Sequence, residues 1–185
     1  VFAGYVYFPL CVDASRDGLY LLTGSKGFNG VGCEATVWDR RAPAQPLHVL
    51  REHEQDTVGC AFLPTVSRPC ATSAHAALVA TASKDGSVRL WDLSQGAAGM
   101  SQCGDSHTYA HSADSGSVCI AEYRNPRQHG CGFTGLCAIT GADSAGGAAF
   151  ATSSLAGVVS VFNADLCEQK WQLRCAAQTI FAASR

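Results

Sequence analysis

The side chains best suited to bind a metal are a cysteine and two histidines in the middle of the chain. Cys103, His107 and His111 follow the spacing C-x3-H-x3-H. Thiolate and imidazole are the donors that zinc takes in tetrahedral sites. The surrounding segment is rich in Gly, Ser and Ala, and the next cysteine, Cys119, falls in an apolar stretch. We therefore predict no metal and no cofactor, with Cys103, His107 and His111 as the candidate ligands should a metal bind.

A second set of residues has the types found in hydrolytic triads, namely His53, Ser83 and Asp85. Hydrolysis by such a set requires a serine on a sharp strand-to-helix turn and backbone donors for the oxyanion. Neither pattern accompanies these residues. The glycine-rich run 24–30 also lacks phosphate-loop spacing and a following helix. We predict that the protein is not an enzyme.

Charge and hydropathy exclude two classes of partner. The 185 residues carry a net charge of −2, the pI is about 6.3, and Lys and Arg are scattered, so there is no basic surface for nucleic acid. The apolar segment 1–12 is too short to span a bilayer and lacks a basic leader. We predict no nucleic acid and no membrane insertion, and interpret 1–12 as a strand.

The ten cysteines do not follow a disulfide or metal pattern, because no C-x-x-C occurs. Four of them, Cys11, Cys60, Cys119 and Cys137, fall in predicted apolar strands, where a free cysteine behaves as a small buried hydrophobe. A reducing compartment, the cytoplasm, is the predicted location.

The element that carries most information is the run 83–92, SKDGSVRLWD. Asp85-Gly86 is a hairpin-turn signal, and the residues that follow alternate between two faces of a strand ending in Trp91-Asp92. The apolar run 78–83 supplies the preceding strand. The pattern predicts an antiparallel strand pair.

Related strand pairs recur before and after this one. An earlier copy ends in Trp38-Asp39 after an enlarged hairpin at 26–32, and a later, degenerate copy ends in Phe162-Asn163. The copies are further apart than the usual period of about 40–45 residues, so we predict insertions. We expect an all-β fold and one domain over 1–185: a blade at 1–51, a blade at 52–125 with an insertion at 94–115, a blade at 130–175, and a partial strand at 176–185.

These copies resemble WD repeats of β-propellers. The resemblance implies a partial propeller, about three to four four-stranded antiparallel blades of a seven- or eight-bladed whole, with the remaining blades supplied by the rest of the parent chain. It also implies a buried blade network of His53, Thr81 or Ser83, Asp85 and Trp91, with Trp38 and Asp39 as the earlier Trp-Asp pair.

A more specific resemblance lies in the run 27–39, G-F-x-G-x-G-C-E-A-T-x-W-D, and extends over about residues 11–94. This region looks like the C-terminal blades of the WD repeat-containing protein 31 family. That resemblance implies a non-catalytic adaptor in cilium or axoneme assembly or ciliary trafficking, working among other proteins in a large complex.

The candidate protein-binding residues are Phe28 and Asn29 in the enlarged hairpin and Arg40 and Arg41 after the first Trp-Asp pair. The Trp38-Asp39-Arg40-Arg41 sequence is a W-D-x-R. It resembles the ending of a motif in substrate receptors of cullin-type ubiquitin ligases, which is the alternative function. A static structural part of a large assembly is a third possibility.

Overall fold

A computed structural model describes residues 5–64, 78–93, 118–124, 131–139, 148–164 and 168–174. Within these ranges the chain forms twelve strands and no helix. No helix in the described part of the chain is therefore long and apolar enough to cross a bilayer.

The strands form three four-stranded antiparallel sheets, and in each sheet strands that are consecutive in the chain are neighbours. The first sheet contains β1 (Pro9–Ala14), β2 (Tyr20–Ser25), β3 (Ala35–Asp39) and β4 (His48–Leu50). The second contains β5 (Thr57–Leu63), β6 (Leu78–Ser83), β7 (Ser87–Asp92) and β8 (Val118–Arg124). The third contains β9 (Phe133–Ile139), β10 (Ala149–Ser154), β11 (Val158–Asn163) and β12 (Glu168–Arg174).

The hairpin predicted at 83–92 is present, with Thr81 paired to Arg89 and Ala82 to Val88. Gly86 has a φ of 82°, a left-handed conformation that glycine adopts without a side-chain clash. Every residue of β7 is buried. Both faces of this sheet are therefore covered, as expected for a blade between two others.

Two apolar cores lie between the stacked sheets. Leu22, Val37 and Leu50 of the first sheet pack with Val79 and Trp91 of the second, and Ala80, Val88 and Leu90 pack with Phe150 and Phe162 of the third. This stacking of four-stranded meanders confirms the predicted all-β fold of partial propeller blades.

The first strand of each sheet lies beside the first strand of the next. The backbone amide of Phe62 in β5 donates to Asp13 in β1 over 2.8 Å. A Cβ on Gly59 would lie 2.6 Å from the backbone nitrogen of Leu136 in β9, so β5 and β9 also approach closely. The interpretation of 1–12 as a strand was wrong for residues 5–8, because β1 begins at Pro9; residues 1–4 lie outside the described residues.

Loops from all three sheets gather at one end, which we call the loop face: residues 26–34, 51–56, 84–86, 131–132 and 155–157. Backbone hydrogen bonds join them, from Gly30 to Glu54 over 3.1 Å and from Lys84 to Asp56 over 3.0 Å. Leu155 similarly donates to Gly132 over 3.0 Å. The turn at 15–18 and residues 40–47 lie at the opposite end.

The cysteines follow the burial prediction only in part. Cys60 is buried, Cys11 and Cys119 are half-buried, and Cys137 is exposed, because no sheet of the described residues covers its side of β9. All six cysteines of the described ranges carry free thiols.

Candidate functional site

A chain of four buried side chains runs through the second sheet to the loop face. Trp91 Nε1 lies 2.9 Å from Thr81 Oγ1, Thr81 Oγ1 lies 2.8 Å from His53 Nε2, and His53 Nδ1 lies 3.1 Å from Asp85 Oδ2. The indole can only donate and the ionised Asp85 carboxylate can only accept, so the Thr81 hydroxyl accepts from Trp91 and His53 Nδ1 donates to Asp85. In the neutral form of His53, the Thr81 hydroxyl also donates to Nε2.

The Asp85 carboxylate ends this chain and ties two loops together. It accepts from the backbone amides of Glu54 (3.0 Å) and Ser87 (2.7 Å) and from the Ser87 hydroxyl (2.5 Å). Burial alone would raise the pKa of Asp85, but the hydrogen bonds and charge interaction with His53 and the Ser87 hydroxyl outweigh it, so the pKa is well below its usual range. The loop before β5 is thereby fixed to the β6–β7 turn.

Of the two hydroxyls considered from the sequence, Thr81 occupies the position beside His53. Ser83 Oγ instead donates to the carbonyl of Gln55 over 3.1 Å and accepts from the amide of Asp85. Ser87, which sequence reasoning missed, lies 3.1 Å from His53 Nδ1. The sequence did contain a signal for Ser87, because a hydroxyl residue two positions after the Asp of a turn is well placed to hydrogen-bond to that carboxylate.

The first sheet has a modified version of this chain. Trp38 Nε1 donates to Thr23 Oγ1 over 3.1 Å, and the hydroxyl of Tyr5 lies 2.8 Å from the same oxygen. Tyr5 thus takes the place that His53 has in the second sheet. Sequence reasoning missed both partners, although Thr23 lies at the same register position relative to Trp38 as Thr81 does relative to Trp91.

The predicted role of Asp39 beside Trp38 needs correction, because Asp39 lies at the end of β3 opposite the loop face and its carboxylate binds Arg41. Arg41 Nε and Nη2 donate to it over 2.9 and 2.7 Å. These bonds lower the pKa of Asp39 to about 2. The Arg41 side chain remains 60% exposed, and Arg40 donates to the Gly18 carbonyl over 2.8 Å.

Among the described residues of the third sheet, no corresponding polar chain is present. Phe162 stands where Trp91 stands in the second sheet, and it stacks on Phe150 with ring centroids 5.0 Å apart. Thr152, the counterpart of Thr81, is 2% exposed. Its hydroxyl has no hydrogen-bond partner among the residues that the structure describes.

The enlarged β2–β3 hairpin ends in a tight turn on the loop face. Asn29 and Gly30 have φ angles of 51° and 75°, as a type I′ turn requires, and the backbones of Phe28 and Val31 exchange two hydrogen bonds of 3.0 Å. The amide of Gly27 donates to Asp56 Oδ1 over 3.0 Å. With the Gly30–Glu54 bond, these contacts hold the hairpin against the loop before β5.

This hairpin and the two residues before β1 that touch it expose apolar side chains that we call the Phe28 patch, defined as Tyr7, Phe8, Phe28 and Val31. Their exposed fractions are 47%, 55%, 66% and 55%. Most of the Phe28 side chain is therefore not covered by the second sheet, its neighbour among the described residues. Tyr7 packs beside Gly32, and the Lys26 ammonium lies 5.1 Å from the centre of the Phe8 ring.

The candidate zinc ligands Cys103, His107 and His111, and the insertion 94–115 that contains them, lie outside the described residues. Within the described ranges, no three His, Cys, Asp or Glu side chains are grouped so that they could hold a metal ion.

Comparison with known families gives a match over residues 44–92, to the family described as WD domain, G-beta repeat. The matched segment contains β4 to β7 and all four members of the buried chain, His53, Thr81, Asp85 and Trp91. Sequence match, blade topology and buried network agree over this segment, which therefore resembles a WD repeat.

Proposed function

We propose that this protein is a non-catalytic WD-repeat scaffold that binds other proteins through the Phe28 patch. WD-repeat domains serve as protein-interaction scaffolds, which supports the general role. The observation that carries the specific proposal is the 66% exposure of Phe28 on a hairpin tip fixed by backbone hydrogen bonds.

The patch has the physical properties of a binding site. Exposed apolar groups gain about 25 cal/mol per Å² when a partner covers them, and aromatic side chains dominate the energy of many interfaces. The hairpin is already ordered by Asn29, Gly30 and Asp56, so little conformational entropy is lost on binding. Its neighbour Lys26 adds one positive charge at the edge of the patch.

The proposed setting is the cytoplasm, in a large complex of the cilium, basal body or axoneme, where the protein takes part in assembly or trafficking. The support for this setting is the resemblance of residues 11–94 to the WD repeat-containing protein 31 family, carried by the run 27–39 that forms this hairpin.

Proximity labelling of the intact protein in ciliated cells tests the proposal, with wild type compared with Phe28→Ala and Leu155→Ala. Leu155 is a matched control, because it is also 66% exposed and lies in the β10–β11 turn of the third sheet. We expect Phe28→Ala to reduce the labelling of ciliary proteins while Leu155→Ala does not. Equal labelling by all three proteins would contradict the role of the patch.

A second candidate function is a substrate receptor of a cullin-type ubiquitin ligase, favoured by the 60% exposed Arg41 of the W-D-x-R sequence. Its guanidinium is already bound by Asp39, so an acidic adaptor surface would have to compete with that carboxylate. Labelling of cullin adaptors that is lost in Arg41→Ala and kept in Phe28→Ala would make this the leading function.

A further inference from the structure

The four residues before β1, 5–8, form a segment that we call the strap. Its first residue, Tyr5, is half-buried on the first sheet. The Tyr5 ring lies 5.6 Å from the ring of Trp38, centre to centre, and its hydroxyl lies 2.8 Å from Thr23 Oγ1. Thr23 donates its own proton to the carbonyl of Thr36, 3.3 Å away, so the Tyr5 hydroxyl is the donor to Thr23 Oγ1. A ring contact and a hydrogen bond thus fix the start of the strap.

The end of the strap lies against the enlarged β2–β3 hairpin. The Lys26 amide donates to the Phe8 carbonyl over 2.9 Å, and the Lys26 ammonium lies 5.1 Å from the centre of the Phe8 ring. A Cβ on Gly32 would lie 2.6 Å from Cδ2 of Tyr7, so glycine at this position lets the Tyr7 ring reach the hairpin backbone. The strap therefore supplies two of the four side chains of the Phe28 patch.

Side-chain burial in the strap is concentrated at Tyr5. Val6, Tyr7 and Phe8 are all exposed, whereas Tyr5 is not. Chain segments with few buried apolar contacts open locally at little cost in free energy, so a strap without the Tyr5 contacts would be held mainly by the hydrogen bond from the Lys26 amide. The position of Tyr7 and Phe8 beside the hairpin thus depends on a side chain that is itself outside the patch.

We propose that Tyr5 is a positioning residue for the Phe28 patch, because its docking holds Tyr7 and Phe8 beside the hairpin. A partner that covers the patch then contacts the strap and the hairpin together, and it binds best when Tyr5 is docked on Trp38. By linkage, such a partner also stabilises the docked strap. The functional part of this inference rests on the proposed binding role of the patch, whereas the positioning itself does not.

Hydrogen exchange of backbone amides in the intact protein, followed residue by residue by nuclear magnetic resonance, tests the positioning. Tyr5→Phe removes one hydrogen bond, so the Lys26 amide should exchange about two to ten times faster than in wild type. Tyr5→Ala also removes the ring contact with Trp38 and should increase the rate further. The nuclear Overhauser contact between the Tyr7 ring and Gly32 should weaken in the same order.

Two controls separate release of the strap from general destabilisation. The amides of Phe28 and Gly30, which donate to partners outside the strap, should keep their wild-type exchange rates in both variants. Val6→Ala, which shortens an exposed side chain of the strap, should leave the Lys26 amide unchanged. An unchanged Lys26 amide in Tyr5→Ala, or an equal acceleration at Lys26, Phe28 and Gly30, would overturn the proposal. If Tyr5→Ala fails to fold, the same comparison in Tyr5→Phe decides.

Proximity labelling in ciliated cells tests the functional part. Tyr5→Ala should reduce the labelling of the same proteins that Phe28→Ala reduces. If Phe28→Ala reduces it and Tyr5→Ala does not, the role of Tyr5 in binding is refuted while the proposed function stands. If the Lys26 amide exchanges faster in Tyr5→Ala and neither variant alters the labelling, the proposed function fails while the positioning by Tyr5 is confirmed.

Discussion

Replacing Thr81 with valine should destabilise the protein far more than the same change at Thr152. The two threonines occupy equivalent positions in β6 and β10, and their exposed fractions are 0% and 2%. They differ in their partners. Thr81 Oγ1 serves both Trp91 and His53, whereas the Thr152 hydroxyl has no hydrogen-bond partner in the described part of the chain.

The expected loss of stability depends on which buried polar groups lose their hydrogen-bond partners in each variant. Valine at position 81 leaves the buried Trp91 Nε1 without an acceptor and His53 Nε2 without a donor. A buried polar group that loses its partner costs about 1–3 kcal/mol, so Thr81→Val should lower the free energy of unfolding by roughly 2–5 kcal/mol. Thr152→Val removes a hydroxyl without a described partner and should change stability little, or raise it by about 1 kcal/mol.

Urea unfolding followed by far-ultraviolet circular dichroism measures both changes, and similar denaturant slopes would show that the midpoints can be compared. Typical domains have a total stability of only about 5–15 kcal/mol, so the Thr81 variant should show a large shift in midpoint. Equal losses in the two variants would refute the reasoning, because they would mean that burial of the side chain, and not its hydrogen bonds, sets the cost.

Three further predictions concern charge and packing. The stability that Asp85 contributes should be complete well above its unfolded pKa of about 3.9 and lost as the pH falls towards its lower folded pKa. The gap between the urea midpoints of wild type and Asp85→Asn should therefore stay constant above about pH 5 and narrow steadily as the pH falls below about 4; a gap that stays constant down to about pH 2 would contradict this. Arg89→Met should lower the free energy of unfolding by about 1–3 kcal/mol, because the buried Arg89 contacts Glu52 and lies 3.3 Å from Glu122, and both carboxylates would lose a cation. Calorimetry measures the loss, and an unchanged melting temperature would contradict it. Gly24→Ala should cost about 1–3 kcal/mol through overpacking between the first and second sheets, because the added Cβ would lie 2.6 Å from Cys11 Sγ and 2.8 Å from the Thr57 carbonyl oxygen. Gly135→Ala, whose Cβ would lie 3.3 Å from Ser153 Oγ, should cost less; equal losses would argue against close packing at Gly24.

Sequence reasoning succeeded where the signal is local. The hairpin at 83–92 was predictable because Asp85-Gly86 specifies the turn and the alternation that follows specifies the strand. The link between Trp91 in this hairpin and His53 in the loop before β5 could be predicted only through the WD-repeat resemblance. Their spacing in the sequence does not indicate that the two side chains lie close together.

The errors came from contacts that depend on packing. Ser83 and Thr81 are both hydroxyl residues of β6, and only the position of the His53 ring shows that Thr81 is its partner. Tyr5 lies outside any strand, and its hydroxyl reaches Thr23 because the chain before β1 folds back over the first sheet. The predicted burial of Cys137 was wrong, because no described element covers that side of β9.

The sequence by itself determined the all-β class, the turns and the strand pairs, because these depend on residues within a few positions of each other. The tertiary structure decided which side chains share a hydrogen bond across a blade and that Phe28 stays exposed. Those contacts join residues far apart in the chain, and their distances are set by how the sheets stack, which no local pattern of residues specifies.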